Sequence, residues 1–179
     1  MPKHLTAAAM AIGAIAANIA FIGLGSTFDY PDVLHHPTAE VLAAYRDHQG
    51  AVMGWFALLA LGAGLMTPMA IGVRRLTSGR YAGPALVVGV LAAVVQVVGL
   101  SRWLLVVPTL AWQALDPARA SEATERFELV GKVLGTGLGE TGGYLLTAVW
   151  TLLVLASLTR RPPRWFVWLG VAAAGLVLS

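Results

Sequence analysis

Apolar residues in this chain are gathered into long blocks, and polar residues mark the joints between them. Leu5 to Phe28, Ala51 to Val73, Gly83 to Pro108 and Val133 to Leu158 can each, at about 1.5 Å per helical residue, cross a hydrocarbon core roughly 30 Å thick. The pattern predicts four membrane-spanning helices. A fifth block, Trp165 to Ser179, reaches only about 22 Å as a helix. It predicts either a span cut inside its last helix or one that ends in the outer headgroup region. The fold class expected is all-α, a single polytopic transmembrane helical bundle over residues 1–179.

The connections carry their own periodicity. Thr38 can cap a short helix in which Val41, Leu42 and Tyr45 share a face, and Asp116 followed by Pro117 makes a cap and first-turn pair for a helix running toward Phe127. Two short amphipathic helices over the outer face are expected, the simplest use of which is to lie at the membrane surface. Pro68 in the second span and Pro108 near the end of the third should kink their helices, because each removes a backbone hydrogen bond.

Composition agrees with a lipid environment: 58% of residues are hydrophobic and 12% charged, with a mean hydropathy of +0.74. The first block runs well beyond the apolar region of a signal peptide and is read as a retained anchor. Charge then sets the orientation. Lys3, the Arg74, Arg75 and Arg80 group, and the Arg160, Arg161 and Arg164 group occupy alternate connections that contain no acid. The positive-inside rule puts these, and the amino terminus, in the cytoplasm of a plasma (inner) membrane. Every acid except Glu140 lies in the two remaining connections, which then face outward. Because the basic residues are parcelled into short loops, nucleic acid is excluded as a partner and the lipid bilayer is the expected one. The chain has no cysteine, which removes disulfide and thiolate chemistry.

The fourth block holds the strongest chemical pattern. Gly131, Gly135, Gly139 and Gly143 recur every fourth residue and stack along one helix stripe, beside a polar stripe of Lys132, Thr136, Glu140 and Tyr144. Such a smooth face suits close helix packing. Its expected partner is the row Ala9, Gly13 and Ala17 of the first span, with a second copy of the chain as the alternative. Glu140 and Arg102 both lie roughly 10 Å below the outer ends of their spans. An unpaired charge there costs about 2.5 to 3.5 kcal/mol, so the two are expected to pair. Asn18, Gln96, Tyr144 and Thr136 could extend the pair into a polar network.

Two readings of function follow. In the leading one, the pair is structural and the protein is a non-enzymatic membrane component. In the other, Arg102 and Glu140 line an outward-facing pocket of a small-solute or ion transporter, with Arg102 available to an anion and Glu140 to a proton or cation. A third reading uses the outer loop, where His35, His36 and His48 with Asp47 offer zinc or copper ligands, although their spacing matches no metal motif. No other cofactor is predicted. There is no nucleophile elbow, His-Glu-x-x-His helix or phosphate loop, which leaves acid–base use of Glu140 as the sole enzymatic reading.

Four segments, FDYPDVL (Phe28 to Leu34), DHQGAVMGW (Asp47 to Trp55), QVVGLSRWLLVVP (Gln96 to Pro108) and GETGGYLLTAVWTLLV (Gly139 to Val154), resemble an uncharacterised bacterial multi-pass membrane family known as a domain of unknown function. The resemblance implies a five- or six-helix bundle and no established activity. Members often place a histidine directly after the glutamate; here Thr141 stands there.

Overall fold

A computed structural model describes residues 3–158 and 162–177, and among these the chain is helical without a strand. The order is α1 (Lys3–Phe28), a 3-10 turn (Asp32–His35), α2 (Thr38–Asp47), α3 (Gln49–Gly64), α4 (Met66–Leu76), α5 (Ala82–Leu105), α6 (Val107–Gln113), α7 (Ala120–Val130), a π-helical segment (Gly131–Gly142), α8 (Gly143–Ser157) and α9 (Arg164–Leu176). Four helical stretches, Lys3–Phe28, Gln49–Leu76, Ala82–Gln113 and Ala120–Ser157, are long and apolar enough to cross a membrane. Helix α9 is shorter and packs on α8. Arg160, Arg161 and the end of the fifth apolar block at Ser179 lie outside the described residues.

Both proline breaks fall one turn ahead of the proline. Leu65 separates α3 from α4, three residues before Pro68, and Val106 separates α5 from α6, two residues before Pro108. The cause is local: the pyrrolidine ring has no N–H to donate and crowds the carbonyl four residues earlier. At one end of the bundle α2 lies across the others and buries Val41, Leu42 and Tyr45, as its periodicity predicts. We call this the capped end. Thr38 does not cap α2, whose preceding residue is Pro37; its hydroxyl instead donates to Glu128 Oε1 of α7 at 2.9 Å. Arg46 donates to the Ala111 carbonyl of α6 at 2.7 Å, so α2 is tied to two neighbours.

The second expected cap differs more. Asp116 Oδ1 accepts from the Ala118 amide at 3.0 Å inside a turn, and α7 begins only at Ala120. It then runs without interruption through the π segment into α8, so it is the first part of the fourth long helix.

Packing is densest at the capped end. Trp103, 1% exposed, stacks on Phe56 with ring centroids 4.7 Å apart and meets Phe28 edge-on at 5.4 Å, while Tyr45 donates to the Trp103 carbonyl at 2.8 Å. Tyr30 and Phe127 complete this cluster. Toward the other end Met66, Ala92 and Ala93 form a separate minor core, with Leu146 and Trp150 packed against it.

The glycine stripe is spent on α5, not on α1. A Cβ at Gly99 would lie 2.6 Å from Gly139 Cα, one at Gly143 2.7 Å from Gln96 Cγ, and one at Gly135 2.8 Å from Arg102 Cζ. Steps of four residues along one helix answer steps of three along the other, as antiparallel helices in close approach require. Gly131 has open space around it and takes no part. The expected α1 row packs on α3 instead, where a Cβ at Gly13 would meet the Gly62 carbonyl at 3.5 Å.

Candidate functional site

Twelve residues, Gly131 to Gly142, adopt π-helical winding, with hydrogen bonds spanning five residues instead of four. Runs of this length are rare, and π geometry recurs at functional sites. Locally it follows from composition: Gly131, Gly135, Gly137, Gly139 and Gly142 leave the segment little α-propensity to lose. The wider turn also keeps an every-fourth-residue row nearly in line, so Gly135 and Gly139 both stay against α5.

The expected Arg102–Glu140 pair is not among the ion pairs formed by the described residues. Arg102 is buried, 7% exposed, and its Nη1 donates to the Gly99 carbonyl of its own helix at 2.8 Å while the guanidinium rests on Gly135. Its cation also lies 5.4 Å from the Trp103 ring centre. Glu140 is half-buried and, among the described residues, has no hydrogen bond or ion pair. Among the described residues Asp116–Arg119 and Glu122–Arg126 form ion pairs and His36 lies 3.7 Å from Glu40, all of them exposed at the capped end. The Arg102 guanidinium thus reaches back to Gly99 and Gly135, and both it and Glu140 border the same cavity.

The space between them is a cavity of about 320 Å³. Gly13, Ala17 and Phe21 of α1, Leu59, Ala63 and Met66 along the broken second helix, Gln96 and Arg102 of α5, and Glu140, Tyr144 and Thr147 of the fourth helix line it. Its polar groups are few and clustered. Gln96 donates to Thr147 Oγ1 at 3.1 Å and approaches Met66 Sδ, at 4.0 Å, just past the Leu65 break. A second cavity of about 330 Å³ opens under the caps and is lined by His36, Thr38, Glu128, Lys132 and Thr136. Arg102 and Glu140 line both cavities, so they form the wall between a cap-side vestibule and the deeper chamber.

The other expected site residues divide. Gln96 and Tyr144 border the deep cavity, and Thr136 only the vestibule. Asn18 joins neither: it is exposed on the bundle's outside and returns its amide to the Ala14 carbonyl at 2.8 Å. It lies one residue beyond Ala17, hence about 100° around the helix from the face that looks inward. The histidines are dispersed. His35 ends the 3-10 turn, His36 faces Glu40, and His48 lies between α2 and α3 beside Asp47; among the described residues no three His, Asp or Glu side chains gather as a metal would need.

Tyr30 is the residue that the spacing of polar positions did not single out. Asp29 takes a left-handed backbone (φ 52°), which aspartate tolerates, and the chain turns so that Tyr30 lies against Phe21, Phe56 and the deep cavity. Burial pushes the Tyr30 phenol above its usual range; the nearby Arg102 charge pulls it down and Glu140 pushes it up. Its signal in the sequence was the segment Phe28 to Leu34.

Four long apolar helices around a mostly apolar cavity bordered by a few polar groups define an all-helical bundle of membrane-span-like helices with a small-molecule-sized cavity. Within that class the sequence is specific: the model of DUF4386, a domain of unknown function, matches residues 5–179, and the chain belongs to that family. No protein of curated function and no solved structure matches it.

Proposed function

We propose that this protein binds, and carries, a small solute within the membrane, using the deep cavity as its site and Arg102 and Glu140 as the charged groups that hold the solute. One observation carries the reading: two oppositely charged side chains line a common cavity without closing on each other. A guanidinium and a carboxylate inside an apolar bundle each cost about 2.5 to 3.5 kcal/mol when unpaired, which favours a polar occupant of the cavity they share. At 320 Å³ it has room for about ten waters, or for one small organic molecule. A purely structural pair is less favoured, since no direct contact joins the two groups among the described residues. Departures from regular α winding beside the site favour carriage over static binding: the Leu65 break adjoins Met66, which lines the chamber, and the π segment, within a continuous helix, carries Glu140.

The arginine distribution supports an orientation in which the capped end faces outward from a plasma membrane and the amino terminus is cytoplasmic. The vestibule under the caps is then the entrance, and Arg102 and Glu140 meet the solute first.

Thermal unfolding of the full-length protein in nanodiscs, against a panel of small water-soluble acids, amines and zwitterions, tests the site. At least one compound should raise the unfolding temperature of the wild type and leave Ala63→Phe, which fills the chamber, unmoved. A panel that shifts neither protein, or both alike, removes the reading.

A further inference from the structure

Resting on that reading of the cavity as a ligand site, we propose that its ligand is a zwitterion: a small molecule with one anionic and one cationic group on an apolar body. The two protein charges supply the argument. The guanidinium of Arg102 carries five N–H donors, and one is engaged, by the Gly99 carbonyl. The donors that remain suit a carboxylate or phosphate, which a guanidinium grips in two-pronged fashion. Glu140 is its mirror image, an acceptor with no donor among the described residues. An ammonium group is the natural complement of such a carboxylate.

A singly charged ligand satisfies one of these groups and strands the other in a low-dielectric chamber, where an uncompensated charge is most costly. Direct closure of the two side chains is opposed by the anchoring of the guanidinium on Gly99 and Gly135. A molecule bearing both charges completes both ends at once. Tyr30 and Tyr144 flank the charged pair with hydroxyls that can donate or accept, while Ala17 and Leu59 offer the apolar body a dry wall. The required chemistry occurs in two sources, a free α-amino acid and the ethanolamine-phosphate head of a lipid.

Matched probes separate the possibilities. Leucine, 4-methylpentanoate and isoamylamine share a branched apolar body and differ in their charged groups; each is added to full-length protein in nanodiscs of phosphatidylglycerol, whose head is anionic only, and unfolding is followed. A lipid arm replaces part of that phosphatidylglycerol with phosphatidylethanolamine, the unmixed phosphatidylglycerol serving as the singly charged control. Leucine or phosphatidylethanolamine should raise the unfolding temperature by several degrees, and the singly charged counterparts should not; which of the two acts names the source. In Glu140→Gln the advantage of leucine over 4-methylpentanoate should disappear, and in Arg102→Gln its advantage over isoamylamine. Should the acid or the amine alone stabilise the wild type as well as leucine does, and Ala63→Phe abolish that effect, the zwitterion falls and the ligand site stands. No shift with any probe overturns both. If either charge variant fails to fold, the three matched probes on the wild type still distinguish a zwitterion from a singly charged ligand.

Discussion

Arg102 and Trp103 are neighbours in sequence and opposites in use. On the Trp103 side, Phe28, Tyr45, Phe56 and Phe127 close around an indole that is 1% exposed, and α2 is bound over the top. On the Arg102 side, glycine backbones draw α5 against the π segment, and the volume that larger side chains would fill remains as a chamber. One helix thus sets a packed aromatic cluster and a charged, cavity-bordering side chain on adjacent residues. The contrast shows how a small membrane bundle can keep charge inside: aromatic packing supplies rigidity near the caps, so the seam beside it can leave its polar groups open.

If the dry half is the rigid one, its loss should hurt most. Trp103→Ala removes the centre of the aromatic cluster and should destabilise the protein by about 3–5 kcal/mol, read from unfolding in detergent as lowered midpoint and lost yield. A change below that of any glycine-seam variant would reverse the assignment of the two halves. Next comes the seam itself. Gly99→Ala forces a methyl to within 2.6 Å of the Gly139 backbone and should cost about 1–3 kcal/mol, whereas Gly131→Ala, with open space around it, should be near neutral. Equal effects at the two positions would mean that α5 and the π segment do not approach as described.

The smallest effect probes the tie between caps and cluster. Tyr45→Phe removes one buried hydrogen bond, to the Trp103 carbonyl, worth about 0.5–1.5 kcal/mol. It should also alter the pH profile. Burial pushes the Tyr45 phenol up to about 12, while in the unfolded chain it ionises near its usual value of about 10. The folded state therefore keeps its proton longer, so this contribution is complete below pH 10 and fades as pH rises from about 10 to 12. Unfolding curves across that range should fall more steeply for the wild type than for the phenylalanine variant; parallel curves would place Tyr45 outside the buried cluster.

Much of the fold was legible because lipid imposes simple rules. Apolar block length gave the long helices, proline positions gave the two breaks, and the face shared by Val41, Leu42 and Tyr45 gave α2. Each of these depends on residues within a turn or two of one another. The site was legible only in its ingredients. Arg102, Glu140, Gln96 and Tyr144 could be named, since polar residues in apolar blocks stand out. Their relation could not, because depth alone leaves the angle around each helix free and assumes α winding throughout. The Gly99 carbonyl, invisible in side-chain patterns, accepts from the Arg102 guanidinium. Asn18 failed for the same angular reason. Tyr30 reached the chamber through a turn at Asp29 that hydrophobic periodicity does not encode.

From Ala120 to Ser157 the fourth long helix is one unbroken rod, wound α, then π, then α. A rod of this kind has no hinge in which to absorb a change of twist. Any tightening of its middle must rotate one end against the other, swinging Glu140 through an arc while Thr147 and the lower shaft change azimuth by the accumulated difference. The glycine-rich stretch thereby acts as a torsion element, in which the angular position of a single carboxylate is coupled to the winding of its own backbone.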